Sequence, residues 1–196
     1  FQDFPAGYEA TLAGLKKAPF LAALQAAAKR PEATGECGRI IEVFPEPAAG
    51  VPSRVIAVGL GKKGKWGSEA MRSCASAVAR RLAVTREKRV HVALSPALTA
   101  AEGDTFEAGR AAGEAFGLLS WDHLAFKGSG TDREKREKRP ALEINGDKKA
   151  FRNGLEYGLQ ISAGVNLART LSETPPNIAT PAWMADQAKK VAKECG

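Results

Sequence analysis

The chain has 196 residues, of which 44% are hydrophobic and 26% are charged, and its formal net charge is +7. This amount of apolar material excludes a wholly disordered chain and suits one domain, or one domain with part of a second. Stretches without a charged residue reach about 12 residues, whereas a membrane-spanning helix needs about 18 or more, so we expect no transmembrane helix.

The first part of the chain alternates between helical and strand patterns. A broad apolar face over residues 10–30 predicts a helix, which Pro31 ends because proline cannot continue it. Residues 38–44 are rich in β-branched residues and predict a strand. Residues 54–60 are almost continuously apolar, which predicts a strand buried on both faces.

Two clear helices follow, with a strand between them. Apolar residues recur at helical spacing over residues 68–82, and Ser68 is a suitable N-cap. Residues 89–94 predict another buried strand. Asp104 and Glu107 form a capping-box-like pair at the start of the second helix.

A long helix is expected near the C-terminus. Residues 127–140 lack apolar side chains apart from a proline, so we expect an exposed loop there, followed by a strand at residues 141–144. Residues 147–173 predict one helix. Small residues repeat along it every four positions and favour close approach of another element: Ala150, Gly154, Gly158 and Ser162.

The sequence Thr-Pro-Pro-Asn at 174–177 breaks this helix, and Thr180 and Pro181 begin another. The apolar face of this last helix has no evident partner in the sequence: Met184, Ala188, Val191, Ala192 and Cys195. Because the chain starts at Phe1 without a signal-peptide pattern and stops directly after a helical pattern, we expect a piece of a longer protein. The alternation of strands and helices predicts an α/β fold with helices on both faces of a sheet.

A glycine-rich turn is the main candidate binding motif. Gly59, Gly61 and Gly64 match G-x-G-x-x-G between a strand and a helix, but the next strand ends without the acid that a dinucleotide ribose needs. With Lys65 the stretch also approaches a phosphate loop, yet Trp66 stands where Ser or Thr must hold Mg²⁺. We favour a structural turn, with weak phosphate binding by its amides as the alternative.

Positive charge is concentrated around this turn. Residues 54–89 contain ten Lys or Arg against two acids, a net charge of +8. Such a patch can attract phosphates or nucleic acid. We favour the simpler interpretation that Arg72, Arg80 and Arg81 lie on the solvated face of one helix.

The other reactive side chains show no catalytic or metal-binding spacing. His91 and His123 are the only histidines, and Ser73 and Ser95 have no patterned base nearby. Cys74 falls on an apolar helix face, where a free thiol behaves as a small hydrophobe. Three cysteines without a signal peptide exclude a disulfide scaffold and indicate a reducing cytoplasm.

The corner after the long helix resembles the leucyl aminopeptidase (cytosol aminopeptidase) family. The residues that match its helix and proline turn are Asn166, Arg169, Leu171, Pro175 or Pro176, Asn177 and Pro181. Thr170 departs from the family's usual Asp, and Glu173 from its usual Asn. Residues 55–62 with the helix that follows, and residues 113–127, also look like the family's N-terminal domain.

The resemblance implies a macro-domain-like N-terminal domain of three α/β/α layers with a mixed sheet at residues 1–145, a linker helix at 146–174, and the start of an absent peptidase domain at 175–196. It implies that the full protein is a hexameric, cytoplasmic aminopeptidase that removes N-terminal amino acids from peptides with two divalent ions, Mn or Zn. It places the metal ligands and catalytic residues outside this chain.

Two other functions stay open. Macro-like domains elsewhere bind ADP-ribose, and the glycine turn with the basic segment suits a phosphate. Sequence-independent DNA binding by the same segment is the second alternative, with a steep salt dependence as its signature.

Overall fold

The computed structural model describes residues 19–84, 89–93, 104–122, 141–145 and 148–195. The described chain contains both helices and strands, interspersed in sequence, which confirms the predicted α/β class. In chain order the elements are α1 (Leu21–Ala28), β1 (Ile40–Val43), β2 (Val55–Val58), α2 (Ser68–Leu82), β3 (Arg89–Ala93), α3 (Thr105–Ser120), β4 (Ala141–Asn145), α4 (Lys149–Glu173) and α5 (Pro181–Cys195).

The four described strands form two pairs of opposite kind. β1 and β2 run antiparallel with Ile40 opposite Val58, whereas β3 and β4 run parallel with Val90 opposite Leu142. Among the described residues these pairs are two separate two-stranded sheets, one antiparallel and one parallel. The expectation that β2 and β3 are buried on both faces was wrong: the residues of β2 are half-buried, and in β3 exposed Arg89 and His91 alternate with half-buried valines.

Helix α1 and the antiparallel pair share a small apolar cluster. Leu24 of α1 and Val43 of β1 are buried together, with Val55 and Ala57 of β2 packed against them. The helix ends at Ala28, before Pro31, as the proline predicted. Residues 19 and 20 form a turn before α1, so the predicted helix over residues 10–30 is wrong at these positions. Its part before residue 19 lies outside the described residues.

Helix α2 has the predicted bounds, and its apolar face enters the main core. Met71, Cys74 and Ala75 belong to that core and are each at most 5% exposed. The cap differs from the expectation by one residue, since Gly67 precedes the helix and Ser68 is its first member. Burial of the recurring apolar face, rather than a side-chain cap, therefore holds α2 in place.

Helix α3 begins where its sequence predicted. The Asp104 carboxylate accepts a hydrogen bond of 2.8 Å from the Phe106 amide and a longer one from Glu107. Glu107 binds Arg110 one turn on. Small residues fill the middle of the helix, and Ala111 and Ala112 are completely buried.

The main core lies where α3 packs against α4 and α2. Phe151 at the start of α4 is fully buried, and Trp66 before α2 and Phe116 of α3 are each 8% exposed in the same cluster. The expected small-residue stripe of α4 is confirmed at Gly154, Gly158 and Ser162, all buried, whereas Ala150 is exposed. The first half of α4 is thus a core element of the α/β unit.

The last helix forms as predicted but stays at the surface. Thr180 accepts a hydrogen bond of 3.3 Å from the Trp183 amide, and Pro181 is the first helical residue. Met184 is 43% exposed, and none of the side chains that the structure describes in α5 is buried. Among the described helices, none combines the length and apolarity that crossing a membrane requires.

Candidate functional site

The glycine turn is built by close contact between two backbone segments. A Cβ at Gly59 would lie 2.7 Å from the carbonyl carbon of Gly35 and would overlap the Glu36 carbonyl oxygen, so a side chain is excluded there. The Gly59 amide donates to the Arg39 carbonyl at 2.7 Å, and the Gly59 carbonyl accepts from the Gly38 amide at 2.9 Å. Gly59 therefore serves the packing of this segment.

Gly61 has a different requirement. Its φ of +74° lies in the left-handed region that favours glycine. Its amide donates to the Gly35 carbonyl at 2.9 Å. Because the amides of Gly59 and Gly61 both donate within the protein, neither is available to hold a phosphate. This geometry favours the structural interpretation of the two glycines.

The second half of the motif is more open. Gly64 lies in a 3₁₀ turn at Lys63–Lys65, and a Cβ placed on it would meet nothing within 4 Å. Gly64 and Lys65 are exposed, and the Lys65 amide donates to the Lys62 carbonyl at 3.0 Å. Phosphate binding by these two residues stays a prediction. Trp66, which breaks the phosphate-loop pattern, is 8% exposed within the main core.

The basic segment is partly neutralised by acids from outside it. Arg72 of α2 binds Glu114 of α3 at 3.0 Å as well as Glu69 on its own helix. The hydrogen bond to Glu114 is the main reason that the pKa of Arg72 is raised. Arg81 forms a two-point ion pair with Glu42 of β1, which holds the pKa of that carboxyl below its ordinary value.

Arg89, at the end of the basic segment, also pairs with an acid from outside that segment, here across the parallel strands β3 and β4. Its guanidinium lies 3.4 Å from the Glu143 carboxylate, which also approaches Nδ1 of His91 at 3.1 Å. His91 is thus a surface residue in a cross-strand pair. The described residues contain no group of three or more His, Cys, Asp or Glu side chains that could hold a metal ion. His123 and Ser95 lie outside the described residues.

A pair of cysteines lies directly beneath the glycine turn. The sulfur atoms of Cys37 and Cys74 are 3.5 Å apart. Cys37 also contacts the Ala70 carbonyl at 3.4 Å, and Cys74 contacts the Gly59 carbonyl at 3.2 Å. Burial raises the pKa of the Cys74 thiol to about 12, and the neighbouring Cys37 adds to the effect. The two residues are 37 positions apart, so sequence spacing did not reveal the pair.

The corner residues hold the C-terminal end of α3. The last carbonyls of a helix have no partner within it. Asn166 of α4 donates its side-chain amide to the Gly117 carbonyl at 2.9 Å, and Arg169 donates to the Leu118 carbonyl at 3.2 Å. Arg169 also contacts the Asn166 side-chain oxygen at 3.2 Å. The Asn166 and Arg169 side chains therefore connect α4 to the C-terminal end of α3 by hydrogen bonds.

Thr170, one departure from the family pattern, has a defined role at this corner. Its hydroxyl oxygen accepts the indole N–H of Trp121 at 3.0 Å and donates to the Asn166 carbonyl at 2.9 Å. The Arg169 guanidinium lies 5.8 Å from the centre of the Trp121 ring. Thr174 is 6% exposed and bonds the Thr170 carbonyl at 2.6 Å. The corner is thus a closed hydrogen-bonded unit without a reactive group.

Helix α4 also carries a stripe of exposed apolar side chains. Tyr157, Ile161 and Val165 follow at four-residue spacing and are 50%, 37% and 39% exposed. Phe106 of α3 contacts the Tyr157 ring at a centroid distance of 6.0 Å. Leu159 of α4 and Met184 of α5, which are 42% and 43% exposed, complete the exposed large hydrophobic side chains that the structure describes in the C-terminal half.

Comparison with known proteins gives a consistent result. The chain matches the cytosol aminopeptidase family, N-terminal domain, over residues 9–129. A probable cytosol aminopeptidase of Paraburkholderia xenovorans is 33% identical over 143 residues, which cover 72% of this chain and 28% of the relative. One from a Synechococcus species is 33% identical over 150 residues, covering 76% and 29%. The chain thus spans less than a third of these relatives.

Solved structures agree. A mutant of tomato leucine aminopeptidase superposes with a TM-score of 0.66 and 25% identity, covering 94% of this chain and 34% of that one. The bottromycin maturation enzyme BotP has the same TM-score at 23% identity, covering 86% and 34%, and supports the fold alone. With the corner and α/β unit described above, these matches show that the chain belongs to the cytosol aminopeptidase family and corresponds to its N-terminal domain.

Proposed function

We propose that this chain is the non-catalytic N-terminal domain of a leucyl aminopeptidase that removes N-terminal amino acids from peptides. The observation that carries the proposal is the match of residues 9–129 to the N-terminal domain of the family. The relatives named probable cytosol aminopeptidase extend well beyond the aligned part, since this chain covers 28% and 29% of them. The catalytic groups are assigned to that remaining part.

We propose the division of the chain that the family resemblance implies. Residues 1–145 form the N-terminal domain, residues 146–174 the linker helix, and residues 175–196 the start of the peptidase domain. Helix α4 supports this role because its first half packs on α3 while Tyr157, Ile161 and Val165 remain exposed. The peptidase domain would cover this apolar stripe and the exposed Met184.

Two divalent ions, Mn or Zn, are proposed for the whole enzyme. One solved neighbour is BotP in complex with Mn. The described residues of this chain do not fit such a centre, because no three potential ligands come together among them. A cytoplasmic location and a hexameric assembly of the whole enzyme belong to the same proposal.

The proposal is tested with two proteins, this chain alone and the full-length product of its gene. Each is incubated with leucine anilide and with added Mn²⁺ or Zn²⁺. We expect hydrolysis by the full-length protein and none by the chain alone. Hydrolysis by the chain alone would refute the assignment of catalytic groups to the remaining part. A full-length protein that is folded and metal-loaded but inactive would refute the aminopeptidase function.

The stand-alone alternative, a module that binds ADP-ribose or DNA, has less support in the structure. The Gly59 and Gly61 amides donate within the protein, and Arg72 and Arg81 are paired with acids. Calorimetry with ADP-ribose at moderate salt tests whether the chain is an ADP-ribose-binding module rather than only the N-terminal domain of an aminopeptidase. Heat of binding that Lys65→Ala abolishes would support the alternative, and the Arg80→Ala variant on the neighbouring helix is the control.

A further inference from the structure

Cys37 and Cys74 are arranged as a thiol pair that can be oxidised to a disulfide. Their sulfur atoms are in van der Waals contact at 3.5 Å, one residue is exposed, and the other is buried. A disulfide bond requires about 2.05 Å between the sulfurs, so the two must approach by roughly 1.5 Å. The two sulfur atoms contact each other directly, so no other described side chain lies between them.

The backbone on both sides of the pair is held in place. A Cβ at Gly38 would lie 3.4 Å from the Ser73 carbonyl oxygen, so the segment after Cys37 rests on α2 next to Cys74. On the other side, a Cβ at Gly61 would lie 3.4 Å from the Cys37 Cβ. Cys37 is therefore confined between the glycine turn and α2, facing the buried thiol.

Oxidation would leave no backbone carbonyl unpaired. In the reduced state Cys74 donates to the Gly59 carbonyl, but that oxygen also accepts from the Gly38 amide at 2.9 Å. Cys37 donates to the Ala70 carbonyl, which lies inside helix α2. Loss of both S–H donors therefore removes only weak contacts.

We propose that Cys37 and Cys74 form a reversible intramolecular disulfide when the protein meets a hydroperoxide. The exposed Cys37 sulfur attacks the peroxide oxygen, the O–O bond breaks, and the leaving hydroxide takes the Cys37 thiol proton to become water. Cys37 is then a sulfenic acid. The Cys74 sulfur attacks Cys37 Sγ, the S–O bond breaks, and the departing hydroxide leaves as water with the Cys74 thiol proton. Two thiols and one hydrogen peroxide thus give one disulfide and two waters.

The order of the two steps follows from exposure. Cys37 is accessible to a dissolved oxidant, whereas Cys74 is 5% exposed. Burial raises the pKa of the Cys74 thiol, so Cys74 is the less nucleophilic of the two toward a dissolved oxidant and reacts second. In a reducing cytoplasm the bond would form transiently and revert with thiol reductants.

The test treats the reduced 196-residue chain with hydrogen peroxide, blocks the remaining thiols and analyses the digest by mass spectrometry without reductant. Cys195→Ser provides the background, so that only Cys37 and Cys74 remain. We expect both thiols to disappear together and the peptides carrying them to be recovered as one species, which dithiothreitol separates. Cys37→Ser in the same background is the matched control and should leave the Cys74 thiol unmodified.

A second measurement follows the melting temperature. Closing a loop between positions 37 residues apart restricts the unfolded chain, so the oxidised Cys195→Ser protein should melt about 5–10 °C higher than the reduced one. The Cys37→Ser control should show no such shift. Sulfinic acid on Cys37, or dimers linked through Cys37, with Cys74 still free would overturn the proposal.

Discussion

The backbone of Gly158 in α4 lies directly against the carbonyl group of Arg110 in α3. A Cβ at Gly158 would overlap the Arg110 oxygen and would lie 2.8 Å from the Glu114 amide nitrogen. Gly154 meets α3 in the same way one turn earlier, and Gly109 and Gly113 on α3 meet α4 reciprocally. The two helices therefore pack backbone to backbone, which only glycine allows.

Gly158→Ala is expected to destabilise the chain. The new methyl group meets backbone rather than a flexible side chain, so α3 and α4 must separate, at a cost of about 1–3 kcal/mol in the free energy of unfolding. Gly164→Ala on the same helix is the control, because a Cβ there meets nothing within 4 Å. It should gain up to about 1 kcal/mol from helix propensity. Equal effects of the two variants in urea unfolding would contradict this account of the packing.

Asn166→Ala should weaken the connection between α4 and the end of α3. The variant removes the hydrogen bond to the Gly117 carbonyl and an acceptor of Arg169. Asn153→Ala, at an exposed position of the same helix, undergoes the same change in helix propensity. We expect Asn166→Ala to be less stable than Asn153→Ala by about 1 kcal/mol. No difference in their denaturant midpoints would mean that the corner contacts contribute nothing.

Thr170→Val tests the bond from the Trp121 indole. Valine has nearly the same shape as threonine but no oxygen, so the indole N–H loses the Thr170 acceptor at a cost of about 1 kcal/mol. Thr170→Ser retains the hydroxyl and should lose less. Thermal unfolding of the two variants gives the comparison, and a valine variant as stable as the serine variant would show that the bond is unimportant.

Arg81→Gln should give a stability difference that depends on pH. The hydrogen bond from Arg81 holds the pKa of Glu42 below 4.5 in the folded chain, so its contribution is present above pH 4.5 and is lost as pH falls through the folded pKa. Because Arg81 is 42% exposed, we expect only about 0.5–1 kcal/mol at pH 7.

The matched control for this pair is Arg80→Gln, at the exposed neighbouring position. Urea unfolding of both variants and the unchanged chain at pH 7 and pH 3 supplies the data. The deficit of Arg81→Gln should shrink at pH 3, whereas Arg80→Gln should show no such change. A deficit of equal size at both pH values would exclude the ion pair with Glu42 as its source.

One side of α4 shows how far sequence periodicity leads. The four-residue spacing predicted close approach at Gly154, Gly158 and Ser162, and the structure continues the same line through Asn166, Thr170 and Thr174. The residue type along this line changes from glycines, which contact the backbone of α3, to polar residues, which bond the C-terminal end of α3. The periodicity identified the face but not its partner.

The candidate site shows the opposite case. The glycine pattern at residues 59–64 suggested a ligand loop, yet Gly59 and Gly61 are required by contacts with Gly35 and Glu36, far enough away in sequence that no local pattern records them. Trp66, which breaks the phosphate-loop pattern in the sequence, is a core residue.

The sequence by itself determined the local structure, namely the bounds of α2, the Asp104 and Thr180 caps and the proline break after α4. It also carried the family resemblance at the corner. These features depend on residues within one or two turns of each other, so their spacing carries the information. Only the tertiary structure decided the pairing of Cys37 with Cys74 and of Asn166 with Gly117. Such contacts join positions 37 and 49 residues apart, and they depend on which elements become neighbours in space.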